Sequence, residues 1–365
     1  MKLNMKRLST MQLVPGMITG ADILDMDGQL ILAKGTELTD RLITKLDMYG
    51  ILTVSITDSV PLPETHEIIS APREPSYSAR IRNSPAFQQF RQEYELNLAS
   101  FKQVMNSVVE KNMPLDIEEL LTQTLNITAL GENTNGILSM LHNMREYDDS
   151  TYAHCINVAL LCNIFATWLR FDKRQIQLAT GCGLLHDVGK LHIPHHILTK
   201  PCHLTENEYS EIQKHPVIGY RLLKKAGASI HIQNAALMHH ERMDGSGYPL
   251  HCQSSQIDKY ARIVAIADVY DAMTATRVYR GPMCPFRVIE LFESEGFRKY
   301  DVEYLLVILE NIVNTYIQNR CRLSDGREGD IIYINKFNLS RPIVQCGTQY
   351  IDLSECPHLT VETLL

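Results

Sequence analysis

Residues 181–190 read GCGLLHDVGK. His186 and Asp187 follow two leucines in an apolar, helix-like run, and Lys190 stands one turn beyond His186. An ionised Asp facing an apolar interior is costly unless something pairs with it. A bound metal supplies that pairing. Lys190 shares the face of His186 at i+4, and a cation beside metal ligands suits a site that takes a phosphate.

Other residues of the same type lie outward from this stretch. His154 opens the apolar run HCINVALLCNIF, and His215 precedes Pro216, which biases it toward an extended or helix-boundary backbone. His239 and His240 are adjacent, with Glu241 next. Asp268 sits in IVAIADVYDAM, and Asp271 follows three residues on, nearly on the same face. Ten of the fourteen histidines fall between His186 and His251. Any one of them alone reads better as a satisfied core residue. Together with two acids in apolar helices they read as a metal site. The donors are N and O without Cys, which suits Fe, Mn, Zn or Ni. His192, His195, His196, His203, His231 and His251 read as surface or loop residues. The loop DGSGYP contains Asp244, Gly245, Gly247, Tyr248 and Pro249. Its glycines permit positive φ and its proline fixes the exit, so it is either a rigid lip offering backbone N–H groups to an anion or a tight interhelical turn.

The bulk numbers bound the rest. A chain of 365 residues suggests two or three domains at roughly 150 residues each. A net charge of −7 argues against a nucleic-acid polymer as partner. Nine cysteines without a CxxC make neither a disulfide framework nor a zinc ribbon, so reduced thiols and a cytoplasmic location are expected. The N-terminus has no apolar signal core, and no run of about 18 apolar residues occurs, so no membrane span is expected.

Composition shifts along the chain. Residues 1–58 read as a small α+β module: Asp27-Gly28 before LILA is a hairpin signal, TDRLITKLDMYGI a helix, LTVSIT a strand. Residues 59–85 hold five prolines and read as a linker. Over 86–111, Phe87, Phe90, Tyr94, Leu98, Phe101, Met105 and Val108 form an amphipathic stripe. The stripe packs on its own chain or forms a parallel homodimer. Residues 115–320 are helical nearly throughout, and 321–365 alternate around Asp-Gly as two or three short strands. The expected fold class is mainly α, an all-helical domain flanked by the α+β module and a short C-terminal β segment, with boundaries at 1–58, 59–114, 115–320 and 321–365.

The ordered set HCINVAL (154–160), LLHDVGKLHIP (184–194), ILTKP (197–201), LTENEY (204–209), KHPVIGY (214–220), HHERMDGSGYP (239–249) and ARIVAIADVYDAMTATRVYR (261–280) resembles the HD-GYP family, the metal-dependent phosphodiesterase branch of the HD superfamily. The resemblance covers about residues 130–318. It implies two divalent ions bridged by Asp187, with His154, His186 and Asp268 at one and His215, His239 and His240 at the other. Some members bind a third ion through a Glu one turn before the first His. Here that position is Ser150, with Asp149 off the needed face, which favours two. Two ions about 3.5–4 Å apart can share a water and lower its pKa toward neutrality. Lys190, Arg277 and Arg280 are the cations for phosphate, and the family uses the arginine positions to hold phosphate or guanine. Asp271 is expected to orient water or protonate the leaving 3′ oxygen. The implied reaction is hydrolysis of cyclic di-GMP to linear pGpG and on to GMP. The alternatives are another cyclic dinucleotide or nucleotide as substrate, or an inactive receptor. The resemblance also implies signalling partners at the GYP loop.

Overall fold

The computed structural model describes residues 5–10, 13–24, 30–39, 42–43, 45–46, 51, 53–57, 77–111, 114–131, 133–144, 151–198, 200, 205–275 and 283–365. The chain forms two compact units. One comprises Met1–Glu74 with His195–Tyr209 and Thr276–Pro282; the other comprises Pro75–Pro194, Ser210–Ala275 and Met283–Leu365.

In the first unit, β1 (Met5–Ser9), β5 (Thr53–Thr57) and β2 (Ile18–Thr19) make an antiparallel sheet in the order β1-β5-β2. β3 (Ile23–Leu24) pairs with β4 (Leu30–Leu32), as the hairpin signal predicts; Asp27-Gly28 itself lies outside the described residues. Residues 42–43 and 45–46 are helical. Leu13, Leu38, Ile43, Leu46 and Val54 form this unit's core.

The second unit begins inside the expected linker, where α1 (Tyr77–Arg82) is already helical. α2 (Pro85–Lys111) follows, then α3 (Ile117–Thr128), α4 (Thr134–Met144), α5 (Thr151–Trp168) and α6 (Lys173–Leu185). A 3₁₀ turn, Val188–His192, leaves α6. α7 (His195–Leu198) belongs to the first unit, and α8 (Glu206–Ile212) straddles its boundary. α9 (His215–Lys225), α10 (Ile230–Met238), α11 (Lys259–Thr274), α12 (Pro285–Leu291), α13 (Phe297–Lys299) and α14 (Val302–Asn314) complete the helices. α5 is apolar on all sides and buried from Cys155 to Ala166, as befits a central helix. α6 and α11 pack against it. No described helix is long and apolar enough to cross a membrane.

One reading gains support and one expectation changes. Phe87, Phe90, Tyr94, Phe101 and Met105 are buried within the chain, and α2 packs on α3, α4 and α5. These five residues are therefore covered intramolecularly, the first of the two readings of the stripe, while Leu98 and Val108 stay half-buried. The C-terminal segment is not two or three strands but a five-stranded antiparallel sheet in the order β10-β6-β7-β8-β9. Its strands are β6 (Arg320–Leu323), β7 (Glu328–Asn335), β8 (Asn338–Cys346), β9 (Gln349–Asp352) and β10 (Val361–Leu364). β9 and β10 are four residues each with mixed polarity, so pairing with β8 and β6 rather than local pattern makes them strands. β8 packs on α12 and α14, which joins the sheet to the helical unit across the boundary read at 320/321.

Phe90→Ala should therefore act on stability alone. Denaturant melts should show a loss of about 3–5 kcal/mol, and light scattering an unchanged oligomeric state.

Candidate metal centre

Four short segments bring the predicted ligands together. His154 lies in the first turn of α5. α6 stops at Leu185, His186 caps it, and Asp187 takes the bridge backbone conformation (φ −101°, ψ 9°) that turns the chain into Val188–His192. That turn lies flush on α9. A Cβ at Gly189 would stand 2.0 Å from the His215 carbonyl oxygen and 2.7 Å from the Gly219 nitrogen, so only glycine lets Asp187 reach His215. His239 caps α10, His240 follows, and α11 presents Asp268.

The seven side chains fall into two sets. Asp187, His215, His239 and His240 form a tetrad, and His154, His186 and Asp268 a triad; within each set the donor atoms lie within 4.8 Å of one another. The two oxygens of Asp187 face different sets. Oδ1 lies 3.3 Å from His215 Nε2 and 3.6 Å from His239 Nε2. Oδ2 lies 3.4 Å from His186 Nε2 and 3.8 Å from His154 Nε2. Asp268 Oδ1 is 3.0 Å from His154 Nε2.

The far side of each ring sets its tautomer. Nδ1 of His186 meets the Gly183 carbonyl at 2.7 Å, and Nδ1 of His215 meets that of Ile212 at 2.7 Å. Nδ1 of His239 meets the Ala236 carbonyl at 3.0 Å, and Nδ1 of His154 meets Asp271 Oδ2 at 2.8 Å. An Nδ1–H donated outward leaves the Nε2 lone pair for the centre. His215 Nε2 and His239 Nε2 consequently face each other at 3.2 Å. His186 Nε2 and Asp187 Oδ1 are buried without a hydrogen-bond partner among the described residues. Converging lone pairs and a buried carboxylate fit divalent cations better than any arrangement of protons.

The ionisation states agree. Burial pushes the Asp187 carboxyl up, but the Lys190 ammonium and His186 outweigh it and hold it well below the usual range. For Asp268 burial is likewise outweighed, by the hydrogen bond to His154. Burial lowers His239 to about 4 and, with His239 and His215 nearby, holds His240 well down. His154 goes the other way. Burial opposes its charge, yet the hydrogen bonds to Asp268 and Asp271 lift it to about 10. A metal bound at the triad would therefore have to displace a proton from His154.

Asp271 is not where its expected role requires. It is buried behind His154 and bonded to Nδ1, a place from which it orients that ring. Lys190 Nζ is 2.6 Å from Asp187 Oδ2 and stays partly exposed. Arg277, Arg280, Ser150, Asp149 and His203 lie outside the described residues, as does the side chain of His195. His192, His196 and His251 are exposed, and His231 bonds Asp258.

Glu241 carries a role that sequence reading missed. It is buried, and its carboxylate accepts from the Leu250 N–H at 2.6 Å and the Cys252 N–H at 2.9 Å, which pins the GYP loop. An acid directly after two histidines was the available signal. Gly247 lies against this turn, since a Cβ there would stand 2.4 Å from Glu241 Cα. Tyr248 stacks on His240 with ring centroids 4.6 Å apart. The N–H groups of Gly245, Ser246 (to Asp244 Oδ1), Tyr248 and Leu250 are all bonded inside the chain, which favours the interhelical-turn reading over an anion cradle.

The family model described as HD domain matches residues 135–303. A 3′3′-cGAMP-specific phosphodiesterase of Vibrio cholerae is 40% identical over 46% of this chain and 39% of its own length. A cyclic di-GMP phosphodiesterase of Pseudomonas aeruginosa is 38% identical over 58% of this chain and 51% of its own. A cyclic di-GMP phosphodiesterase response regulator of Xanthomonas campestris is 36% identical over 50% and 48%. Residues 135–303 thus match an HD domain, and this stretch is similar to phosphodiesterases that act on cyclic dinucleotides. The chain spans about half or less of the length of these curated relatives. All seven donors lie inside the matched stretch.

Two outcomes follow for this centre. Asp271→Ala should weaken metal binding about 10–100-fold, the usual effect of losing a carboxylate behind a ligating His, as read by competition with a chelating dye. The triad should also release a proton on loading. His154 is protonated below about 10, so apparent affinity there should rise about tenfold per pH unit between pH 7 and 9. His239, already neutral above about 4, adds no such slope to the tetrad. Calorimetry in buffers of different ionisation enthalpy counts the protons.

Proposed function

We propose that this chain hydrolyses the 3′–5′ phosphodiester of a cyclic dinucleotide, with cyclic di-GMP as substrate, linear pGpG as first product and GMP as the end of a second round. The observation that carries this reading is the split use of Asp187, whose two oxygens face separate sets of nitrogen and oxygen donors. The reading places one ion at the triad and one at the tetrad, with Asp187 shared. Fe, Mn, Zn and Ni all suit such donors. Divalent ions there supply Lewis acidity toward a phosphoryl group and bring water toward deprotonation near neutral pH.

The chain's own residues do the rest. Lys190, anchored on Asp187 and partly exposed, is the described cation placed to meet a non-bridging phosphate oxygen and offset charge as it grows in the transition state. Arg277 and Arg280 are proposed to hold the remaining phosphate or a guanine, in keeping with bidentate Arg geometry. Asp271 keeps the His154 ring in register and takes no part in protonating the 3′ oxygen. The relatives' names support a cyclic dinucleotide, and two chemistries stand among them, cyclic di-GMP and 3′3′-cGAMP. An inactive receptor is disfavoured because none of the seven donor positions is replaced. The GYP loop, rigid and rimmed by the exposed Asp244 and Ser246, is proposed as the docking point for signalling partners.

The test is a paired one on anaerobically purified protein: metal per chain, then hydrolysis of both dinucleotides by chromatography with Mn or Fe restored. Two ions and linear product are expected, and the faster substrate decides specificity. Two ions without turnover would overturn the enzymatic reading. Asp187→Ala should abolish turnover. Lys190→Met should cut kcat/KM about 100-fold, roughly 2.7 kcal/mol of transition-state stabilisation.

A further inference from the structure

The turn carrying His239 and His240 is gripped from outside the metal centre. Arg242 Nη1 donates to the carbonyls of Glu241 at 3.0 Å and His239 at 3.3 Å. Its guanidinium lies 5.0 Å above the ring of Tyr300, within cation–π range. The next N–H, that of Met243, donates to the Lys299 carbonyl at 2.9 Å. Tyr300 is 4% exposed and packs edge-on against Phe292, with centroids 5.4 Å apart. Phe292 opens a π-helical segment, Phe292–Gly296, a widened turn often found at functional positions. Its second residue, Glu293, takes the N–H groups of Leu339 at 2.5 Å and Ser340 at 3.3 Å, both in β8.

We propose that Arg242 and Tyr300 are positioning residues for the tetrad, and that the C-terminal sheet, tied on through Glu293, is the buttress that holds them. The inference rests on the reading of His215, His239, His240 and Asp187 as metal ligands. A guanidinium bonded to the carbonyls of His239 and Glu241 fixes the two peptides that flank His240, and those peptides set where both imidazoles point. The Tyr300 face holds the guanidinium in place. The sheet is then a working part of the helical unit and not an appended module.

The experiment measures Mn(II) affinity on the full chain by dye competition, in the native background and in His154→Ala, where the triad is disabled and the remaining ion reports the tetrad. Tyr300→Leu removes the aromatic face, and Tyr300→Phe keeps it. The expected result is tetrad binding weakened about tenfold or more in Tyr300→Leu, the low end for losing an outer-shell partner, near-native binding in Tyr300→Phe, and an unchanged triad ion. Glu293→Ala should move the tetrad in the same direction. Equal affinity in Tyr300→Leu and Tyr300→Phe overturns the proposal. Parallel loss of both ions with a falling Tm marks a folding role only and also overturns it. Absence of cyclic dinucleotide hydrolysis would refute the functional reading and leave these affinities to decide this one.

Discussion

One carboxylate organises this molecule. Asp187 is buried at the meeting point of α5, α6, α9 and α10, with an ammonium and four imidazoles around its two oxygens. Burying a charge carries a penalty of several kcal/mol, and it persists only where partners are close and well oriented. Every local peculiarity nearby serves that condition. α6 ends at Leu185, Asp187 adopts the bridge conformation, and Gly189 lets the next turn lie against α9. α5, buried from Cys155 to Ala166, gives the cluster a dry and rigid floor.

Rigidity comes from the atoms behind the ligands. Backbone carbonyls of Gly183, Ile212 and Ala236, and the Asp271 carboxylate, take the outward Nδ1 groups. The lone pairs that remain have no choice of direction. Glu241 works on the loop in the same manner, using two backbone N–H groups to keep Tyr248 stacked on His240. These contacts convert a sequence of donors into a centre with defined sides.

Much of this was legible in the chain. Acids and histidines in apolar helical runs are costly singly and explicable jointly, so candidate donors stood out by physical expense, and the family resemblance singled out the seven among them. The stripe on α2 was equally legible as an apolar face, but its partner was not, because intramolecular and intermolecular burial place the same demands on a heptad-like pattern. Asp271 was read as a substrate-facing acid because it shares a helix face with Asp268. A three-residue step rotates a side chain by about 60°, enough to put it behind His154 and not beside it. β9 and β10 were missed because four polar-rich residues become strands only when a neighbour offers an edge.

Residue identity and spacing by themselves determined the helical class, the candidate metal donors and the place of the glycine-rich loop. These follow from local costs: apolar periodicity, buried charge, and the backbone freedom of glycine. Tertiary structure alone decided which Asp187 oxygen serves which set, that Asp271 stands behind a ligand, that α2 folds back on its own chain, and that the C-terminal sheet reaches the His239–His240 turn through Glu293 and Tyr300. Those facts depend on directions in space between segments far apart in the chain, and no one-dimensional pattern encodes a direction until packing has chosen it.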